Sequence, residues 1–176
     1  MKQDEQIKKL TIQELLNQDN YIIPIYQRNY AWGNDEIEAL LTDLVKAYER
    51  KTENYYIGSL VVYRRDDGKL EVIDGQQRLT TFTLIKSFLQ NEVKFFKFSG
   101  SLKKERNISF EYRAESDWAL DNLQQPENLP WNFKDAQQAI KRHWNALVSK
   151  EKSADFIKFM LEKVQIIRTE VPPETD

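Results

Sequence analysis

The stretch from Leu70 to Phe82 constrains the fold most, because it predicts a strand that runs through Asp74-Gly75 directly into a helix. The residues before it, 55–63, are rich in β-branched and aromatic side chains, and a polar turn at 65–69 brings the chain back to Leu70. The sequence therefore predicts a β-hairpin followed at once by a helix from near Gln76 to about Gln90.

The rest of the chain predicts an α+β fold. Thr11 opens a capping-box pattern for a short helix to about Leu16, and Asn34 is a suitable N-cap for an amphipathic helix that reaches Tyr48. Further helices are predicted at 117–123, at 133–148 and from Ser153, and extended segments at 21–26, 108–112 and 164–171. This pattern divides the chain into a mixed core, a small sheet with packed helices over 1–92, and a mainly helical extension over 93–176. The extension ends in a strand, so the chain is predicted to be a piece of a longer protein.

Composition excludes several kinds of site. The chain has no cysteine and one histidine, His143, which rules out disulfides, thiolate metal sites and a two-histidine nuclease site within this chain. A net charge of −2 argues against a protein that coats nucleic acid non-specifically. The sequence has neither a signal-peptide pattern nor a long apolar run, which predicts a cytoplasmic protein without a membrane partner.

The start of the predicted helix after Gly75 has the properties of an anion site. A glycine there can take a positive φ and lets a ligand approach the backbone, and the first helical turn exposes unpaired N–H groups. Arg78 lies in that turn, where a cation is unfavourable unless an anion such as phosphate binds it. The alternative is that Asp74 caps the helix, Gly75 makes a turn and Arg78 is a surface cation.

Polar neighbours extend the candidate site. Gln76 and Gln77 supply amides that could position a water or read a base, and Thr80 and Thr81 supply hydroxyls for a phosphate or a metal's water shell. Asp74 could hold Mg²⁺ indirectly, and no residue is assigned as a direct metal ligand.

Three ordered blocks, Tyr21–Trp32, Tyr56–Val62 and Val72–Thr81, resemble the N-terminal domain family of GmrSD-type modification-dependent restriction enzymes. The resemblance implies a ParB/sulfiredoxin-like core in which the motif Asp74–Arg78 binds and hydrolyses a nucleoside triphosphate (GTP, ATP or CTP) with Mg²⁺. It also implies a role in phage defence, in which nucleotide is coupled to the sensing of modified DNA by a protein with a nuclease domain in the same or a partner chain. Nuclease activity is not expected from this chain alone.

Carried over residue by residue, the resemblance places the nucleotide site on Asp74, Gly75, Gln76, Gln77 and Arg78, with Gln27 and Arg28 beside it. The properties of the residues themselves add Gly58, Ser59, Thr80 and Thr81. The predicted catalytic residues are Arg28, Asp74, Gln77 and Arg78. The predicted nucleotide contacts are Gln27, Arg28, Gly58, Ser59, Asp74, Gly75, Gln76, Gln77, Arg78, Thr80 and Thr81. The alternative function is a non-enzymatic DNA-binding or protein-docking module of the same fold.

Several of these residues have a second interpretation. Arg28 is interpreted either as a clamp on phosphate or as the partner of a carboxylate such as Asp43, and Gly58-Ser59 either as facing a ligand or as a bulge. Residues 86–113 carry seven lysines and arginines among aromatic residues, which indicates either a nucleic-acid-binding segment or a solvated helix end with an apolar underside. Tyr26, Tyr30 and Trp32 are interpreted as core aromatics, and His143 as a partly exposed helix residue.

Overall fold

A computed structural model describes residues 6–93 and 101–173 of the 176-residue chain. Its strands are β1 (Ile7–Thr11), β2 (Tyr21–Ile23), β3 (Tyr55–Arg64), β4 (Leu70–Asp74), β5 (Ile108–Phe110) and β6 (Val164–Val171). Its helices are α1 (Ile12–Asn17), α2 (Asn34–Glu49), α3 (Gln76–Glu92), α4 (Ala114–Asp121), α5 (Trp131–Leu147) and α6 (Ser153–Glu162), with a 3₁₀ turn at Pro126–Asn128. The α+β prediction is confirmed.

The strands form one six-stranded mixed sheet in the order β1-β6-β3-β4-β2-β5. The predicted hairpin is the antiparallel pair β3 and β4, while β2 lies parallel to both β4 and β5. The last strand, β6, returns to the interior of the sheet, antiparallel to β1 and parallel to β3. Residues from both predicted regions, 1–92 and 93–176, therefore build the same sheet.

Helix α3 runs through the interior of the protein. Its residues from Leu79 to Lys86 are all buried, as expected for a helix surrounded by other elements. Around it, α5 packs on α2 and α3, and Phe133 and Trp144 of α5 contribute aromatic contacts to the core. Helix α3 is thus packed between other elements along its middle turns.

Most predicted elements are confirmed, and the cap of α2 is a correction. The capping box of α1 is present, since the amide of Glu14 donates to Thr11 Oγ1 at 3.1 Å and the Thr11 amide to Glu14 Oε1 at 3.0 Å. For α2, however, the N-cap is Gly33 rather than Asn34. Asn34 is the first helical residue because its side-chain oxygen accepts hydrogen bonds from α5, including one of 2.7 Å with His143 Nε2.

No helix in the described ranges has the length and apolarity needed to cross a bilayer.

Candidate functional site

Gly75 places the start of α3 directly on the backbone of β3. It has a φ of +100°, which L side chains rarely adopt, and it forms the N-cap of α3. A Cβ at this position would lie 2.9 Å from the carbonyl oxygen of Ser59 and 3.1 Å from Leu60 Cδ1. The turn between β4 and α3 therefore requires glycine for its backbone conformation and for its close contact with β3.

Gly58 provides the space in which the Arg78 guanidinium lies. The pairing of β3 with β6 changes register between Tyr56 and Ser59, and Gly58 has a φ of +135°. A Cβ on Gly58 would lie only 2.4 Å from Arg78 Nη1. The sequence left open whether Gly58-Ser59 faces a ligand or forms a bulge. The structure has an irregular strand pairing at this point, and the group that approaches Gly58 is the guanidinium of Arg78.

Arg78 and the start of α3 together present unpaired donors. No side chain caps the helix, and its first intrahelical bond runs from the Leu79 amide to the Gly75 carbonyl. The side chain of the half-buried Arg78 forms no hydrogen bond or ion pair with any residue of 6–93 or 101–173. A guanidinium with five N–H donors thus lies beside the positive end of a helix, an arrangement that suits an oxyanion.

The two glutamines of the motif hold the loop that follows β2. Gln76 Nε2 donates to the carbonyl of Arg28 at 2.7 Å. The Gln77 amide is used twice, because its Nε2 donates to the Asn29 carbonyl at 3.2 Å and its Oε1 accepts from the Ala31 amide at 2.8 Å. As a catalytic residue, Gln77 would have to exchange these bonds for a ligand.

Further contacts fix the same loop. Gln27 Nε2 donates to the carbonyl of Ile73 at 2.7 Å, and Arg113 donates to the carbonyl of Gln27 and, at 3.1 Å, to that of Ile25. The Arg28 side chain is exposed and forms no ion pair with Asp43 or with any other carboxylate in the described ranges. The loop therefore carries a free cation on an anchored backbone beside the motif.

Thr80 and Thr81 lie inside the protein rather than at its surface. Both are fully buried, and the Thr81 hydroxyl donates to the Gln77 carbonyl at 2.8 Å and lies 2.8 Å from the Tyr30 hydroxyl. Burial raises the pKa of Tyr30 well above its ordinary value, so this phenol stays protonated. The geometry gives Thr81 a role in packing and offers neither hydroxyl to a ligand at the surface.

The three aromatic residues of the first block differ in their surroundings. Tyr30 belongs to the core and Trp32 packs against it, as the sequence predicts. Tyr26 is exposed instead, and its hydroxyl donates to Glu71. Desolvation and this hydrogen bond raise the pKa of Tyr26 to about 12. The core interpretation of Tyr26 is therefore wrong, because Glu71 at the surface supplies an acceptor for its hydroxyl.

Two further polar groups of the motif lack a partner among the described residues. Gln76 is 4% exposed, and its Oε1 has no hydrogen-bond partner among the described residues, although its Nε2 is bonded. Asp74 is exposed at the end of β4. Within the described ranges no three His, Cys, Asp or Glu side chains cluster as a metal site. Asp74 is thus a single carboxylate beside unpaired donors.

The basic segment 86–113 uses several of its cations internally. Lys86 donates to the Glu105 carbonyl at 2.7 Å, Arg106 pairs with Asp117 and Asp121 at 2.7 and 2.8 Å, and Arg113 anchors the loop after β2. Lys94, Lys97, Phe95, Phe96 and Phe98 lie outside the described residues. These contacts favour a packed helix end over a surface that follows a nucleic-acid backbone.

His143 is a partly exposed helix residue, as predicted, and contacts Asn34 and Glu38 of α2.

The contacts of Gln77 predict the effect of removing its amide. Gln77→Leu is expected to lower the free energy of unfolding by about 1–2 kcal/mol, because two backbone groups of the loop lose their partner. Urea denaturation measures this change. Gln90→Leu is the matched control, because Gln90 lies exposed on the same helix and makes a single long bond of 3.3 Å. An equal effect of both substitutions would contradict the anchoring role.

Comparison with known proteins identifies the family of the chain. A search of curated proteins finds no significant match. A family model described as the GmrSD restriction endonuclease N-terminal domain matches residues 12–175, nearly the whole chain, including the loop after β2, the β3–β4 hairpin and the start of α3. The chain therefore belongs to the family of GmrSD restriction endonuclease N-terminal domains.

Proposed function

We propose that the start of α3 binds the phosphates of a nucleoside triphosphate (GTP, ATP or CTP) and that the protein hydrolyses it. The observation that carries the proposal is the Arg78 guanidinium, which lies against Gly58 without an acceptor among the described residues, beside an uncapped helix N-terminus. Phosphate oxygens would give this guanidinium bidentate, charge-assisted hydrogen bonds. They would also accept from the free N–H groups of the first turn.

The other residues have separate proposed roles. Arg28 stabilises negative charge that develops on the γ-phosphoryl group, which is the usual task of a second arginine in phosphoryl transfer. Gln76 keeps Arg28 in reach by holding its carbonyl, and the unpartnered Gln76 Oε1 is free to accept from the nucleotide or from a water. Asp74 orients the attacking water or the water shell of a metal.

The site fits Mg²⁺ as a companion of the nucleotide. Magnesium in nucleotide enzymes is held by one or two carboxylates together with substrate phosphates and waters, so the single exposed Asp74 suffices from the protein. The ion supplies charge neutralisation at the phosphates.

Membership in a restriction-endonuclease family supports a role for the protein in DNA restriction. We propose that nucleotide binding is coupled to DNA sensing, with modified DNA as the partner and a nuclease domain in the same or a partner chain. The anchored loop at 27–31 supports such coupling, because Gln76 and Gln77 connect it to the nucleotide site.

Phosphate release tests the proposal. Purified protein is incubated with GTP, ATP or CTP, with and without Mg²⁺ and modified DNA, and release of inorganic phosphate is measured. Asp74→Asn is expected to reduce release by about 100-fold, the scale for losing a carboxylate that acts on the attacking water as a general base. Asp66→Asn, an exposed acid in the β3–β4 turn, should leave the rate unchanged.

Binding and turnover separate the two candidate functions. Binding of a triphosphate without phosphate release would favour a non-enzymatic module of the same fold. No binding of any triphosphate, with or without Mg²⁺ and DNA, would contradict the proposed site.

A further inference from the structure

Lys86 is a buried cation on α3, away from the motif at the start of that helix. It is 4% exposed, and its Nζ donates to the backbone carbonyl of Glu105 at 2.7 Å. It forms no ion pair with any carboxylate of residues 6–93 or 101–173, and the segment 94–100 contains no acidic residue. Lysines are rarely buried without a counter-charge, because the desolvation of an ammonium is costly.

The surrounding charges do not neutralise this ammonium. Lys103 repels it, and Glu105 attracts it only from beyond ion-pair distance. Arg106 is balanced by its own partners, Asp117 and Asp121. Lys104 is exposed and has no ion pair in the described part of the chain. Among the residues that the structure describes, no carboxylate therefore compensates the positive charge of Lys86.

An open polar cleft reaches Lys86. It has a volume of about 320 Å³, and its lining includes the cations Lys86 and Lys104, the acids Glu105 and Asp121, and the polar residues Ser87 and Gln124. Since one water occupies about 30 Å³ in the liquid, the cleft has room for an oxyanion with several waters. Its hydroxyl and amide groups are suitable donors to such an ion.

We propose that this cleft is a second anion site, distinct from the nucleotide site, which binds a phosphate-type oxyanion through Lys86 and Lys104. The bound anion supplies the negative charge that no described carboxylate provides to Lys86. A buried amine is reached by a small ion or by the terminal phosphate of a longer molecule, and not by the backbone of a duplex.

The pH dependence of stability follows from the same burial. Desolvation, assisted by Lys103, lowers the pKa of Lys86 from 10.5 to about 8. The unfolded chain therefore binds more protons than the folded protein between about pH 8 and 10.5, so Lys86 makes stability rise with pH across that window. Below about pH 8 the amine is charged in both states and its burial destabilises the fold.

Titration with inorganic phosphate and with sulfate at pH 7 tests the site. Calorimetry on the wild-type protein should show saturable binding of both ions. Lys86→Met retains the length of the side chain and removes its charge, and it should weaken binding at least about 10-fold. Lys69→Met is the control, since Lys69 is an exposed lysine of the β3–β4 turn that neither lines the cleft nor shifts the pKa of Lys86, and it should leave the affinity within about 2-fold. Equal affinity in the wild type and Lys86→Met would overturn the proposal.

A second measurement needs no variant. Sulfate does not change its protonation between pH 6 and pH 8. Any proton taken up when sulfate binds is therefore taken up by a group of the protein. Calorimetry in two buffers of different ionisation enthalpy should show uptake at pH 8 that is larger than at pH 6, because the anion raises the pKa of Lys86. Binding without pH-dependent uptake would overturn the role of Lys86.

Three ligands distinguish a free phosphate ion from the terminal phosphate of a nucleic-acid strand. Inorganic phosphate, a 5′-phosphorylated oligonucleotide and its unphosphorylated counterpart are compared in the wild type and in Lys86→Met. Lys86-dependent binding of phosphate alone identifies a free ion. Preference for the phosphorylated strand, also dependent on Lys86, identifies a strand end. Equal binding of both strands, with no binding of phosphate, would contradict the site.

Discussion

Replacing Arg78 with alanine is expected to weaken triphosphate binding by about 10- to 100-fold, because charge-assisted hydrogen bonds to phosphate contribute about 1.5–3 kcal/mol. The unliganded protein should keep its stability. Arg78 has no hydrogen-bond partner in the described ranges, and a cation in the first helical turn is unfavourable on its own. Calorimetric titration and urea denaturation measure the two effects separately.

Two variants sharpen this result. Arg78→Lys keeps the charge but loses the planar pair of donors, so its affinity should lie between those of the wild type and Arg78→Ala. Arg50→Ala removes an exposed arginine at the end of α2 and should leave triphosphate affinity unchanged. A loss of stability in Arg78→Ala, with unchanged triphosphate affinity, would show that the guanidinium serves only the fold.

Replacing Gly75 with alanine is expected to lower the free energy of unfolding by about 2–4 kcal/mol. The new Cβ would meet the Ser59 carbonyl oxygen at 2.9 Å, and the φ of +100° is strained for any L residue. The contact is with backbone, so no side-chain rotation relieves it. Urea denaturation measures the loss, and the start of α3 should shift away from β3 in the variant.

Gly68 separates the two causes of this loss. It has a φ of +90° in the β3–β4 turn, but a Cβ there would meet nothing within 4 Å. Gly68→Ala should therefore cost about 1–2 kcal/mol from backbone strain alone. Equal losses in Gly68→Ala and Gly75→Ala would mean that the close contact with β3 contributes nothing.

The local pattern of the sequence was sufficient to predict the secondary structure that carries the motif, namely β3, β4 and the start of α3. β-Branched and aromatic residues on either side of a polar turn predicted β3 and β4, and Asp74-Gly75 followed by periodic apolar residues predicted the start of α3. These features depend on neighbours in sequence, so backbone preferences reveal them. The same holds for the capping box of α1, where donor and acceptor lie within one turn.

The contacts that hold the loop after β2 could not be predicted in this way. Gln76 and Gln77 form hydrogen bonds with backbone atoms of residues 28, 29 and 31. Every residue type except proline has these backbone groups, so the sequence does not indicate which of them is bonded. The role of Arg113 was missed for the same reason, since it donates to the carbonyls of residues 25 and 27. Sequence alone counted Arg113 as part of a basic segment.

The position of β6 depends on long-range packing as well. Its alternating pattern predicted a half-buried strand, and every second residue is indeed buried. Nothing in that pattern indicates insertion between β1 and β3. The insertion matters for the site, because the irregular pairing of β6 with β3 at residues 56–59 frees Gly58 to receive Arg78.

Amide chemical shifts during a triphosphate titration test the central claim most directly. Two-dimensional ¹⁵N spectra of the wild-type protein are recorded as GTP, ATP or CTP is added with Mg²⁺. Binding at the start of α3 predicts saturable shifts of the Gly75, Gln76, Gln77 and Arg78 amides and of the Arg78 Nε–H. Saturable shifts confined to other regions, such as the cleft at Lys86, with these signals unchanged would contradict it.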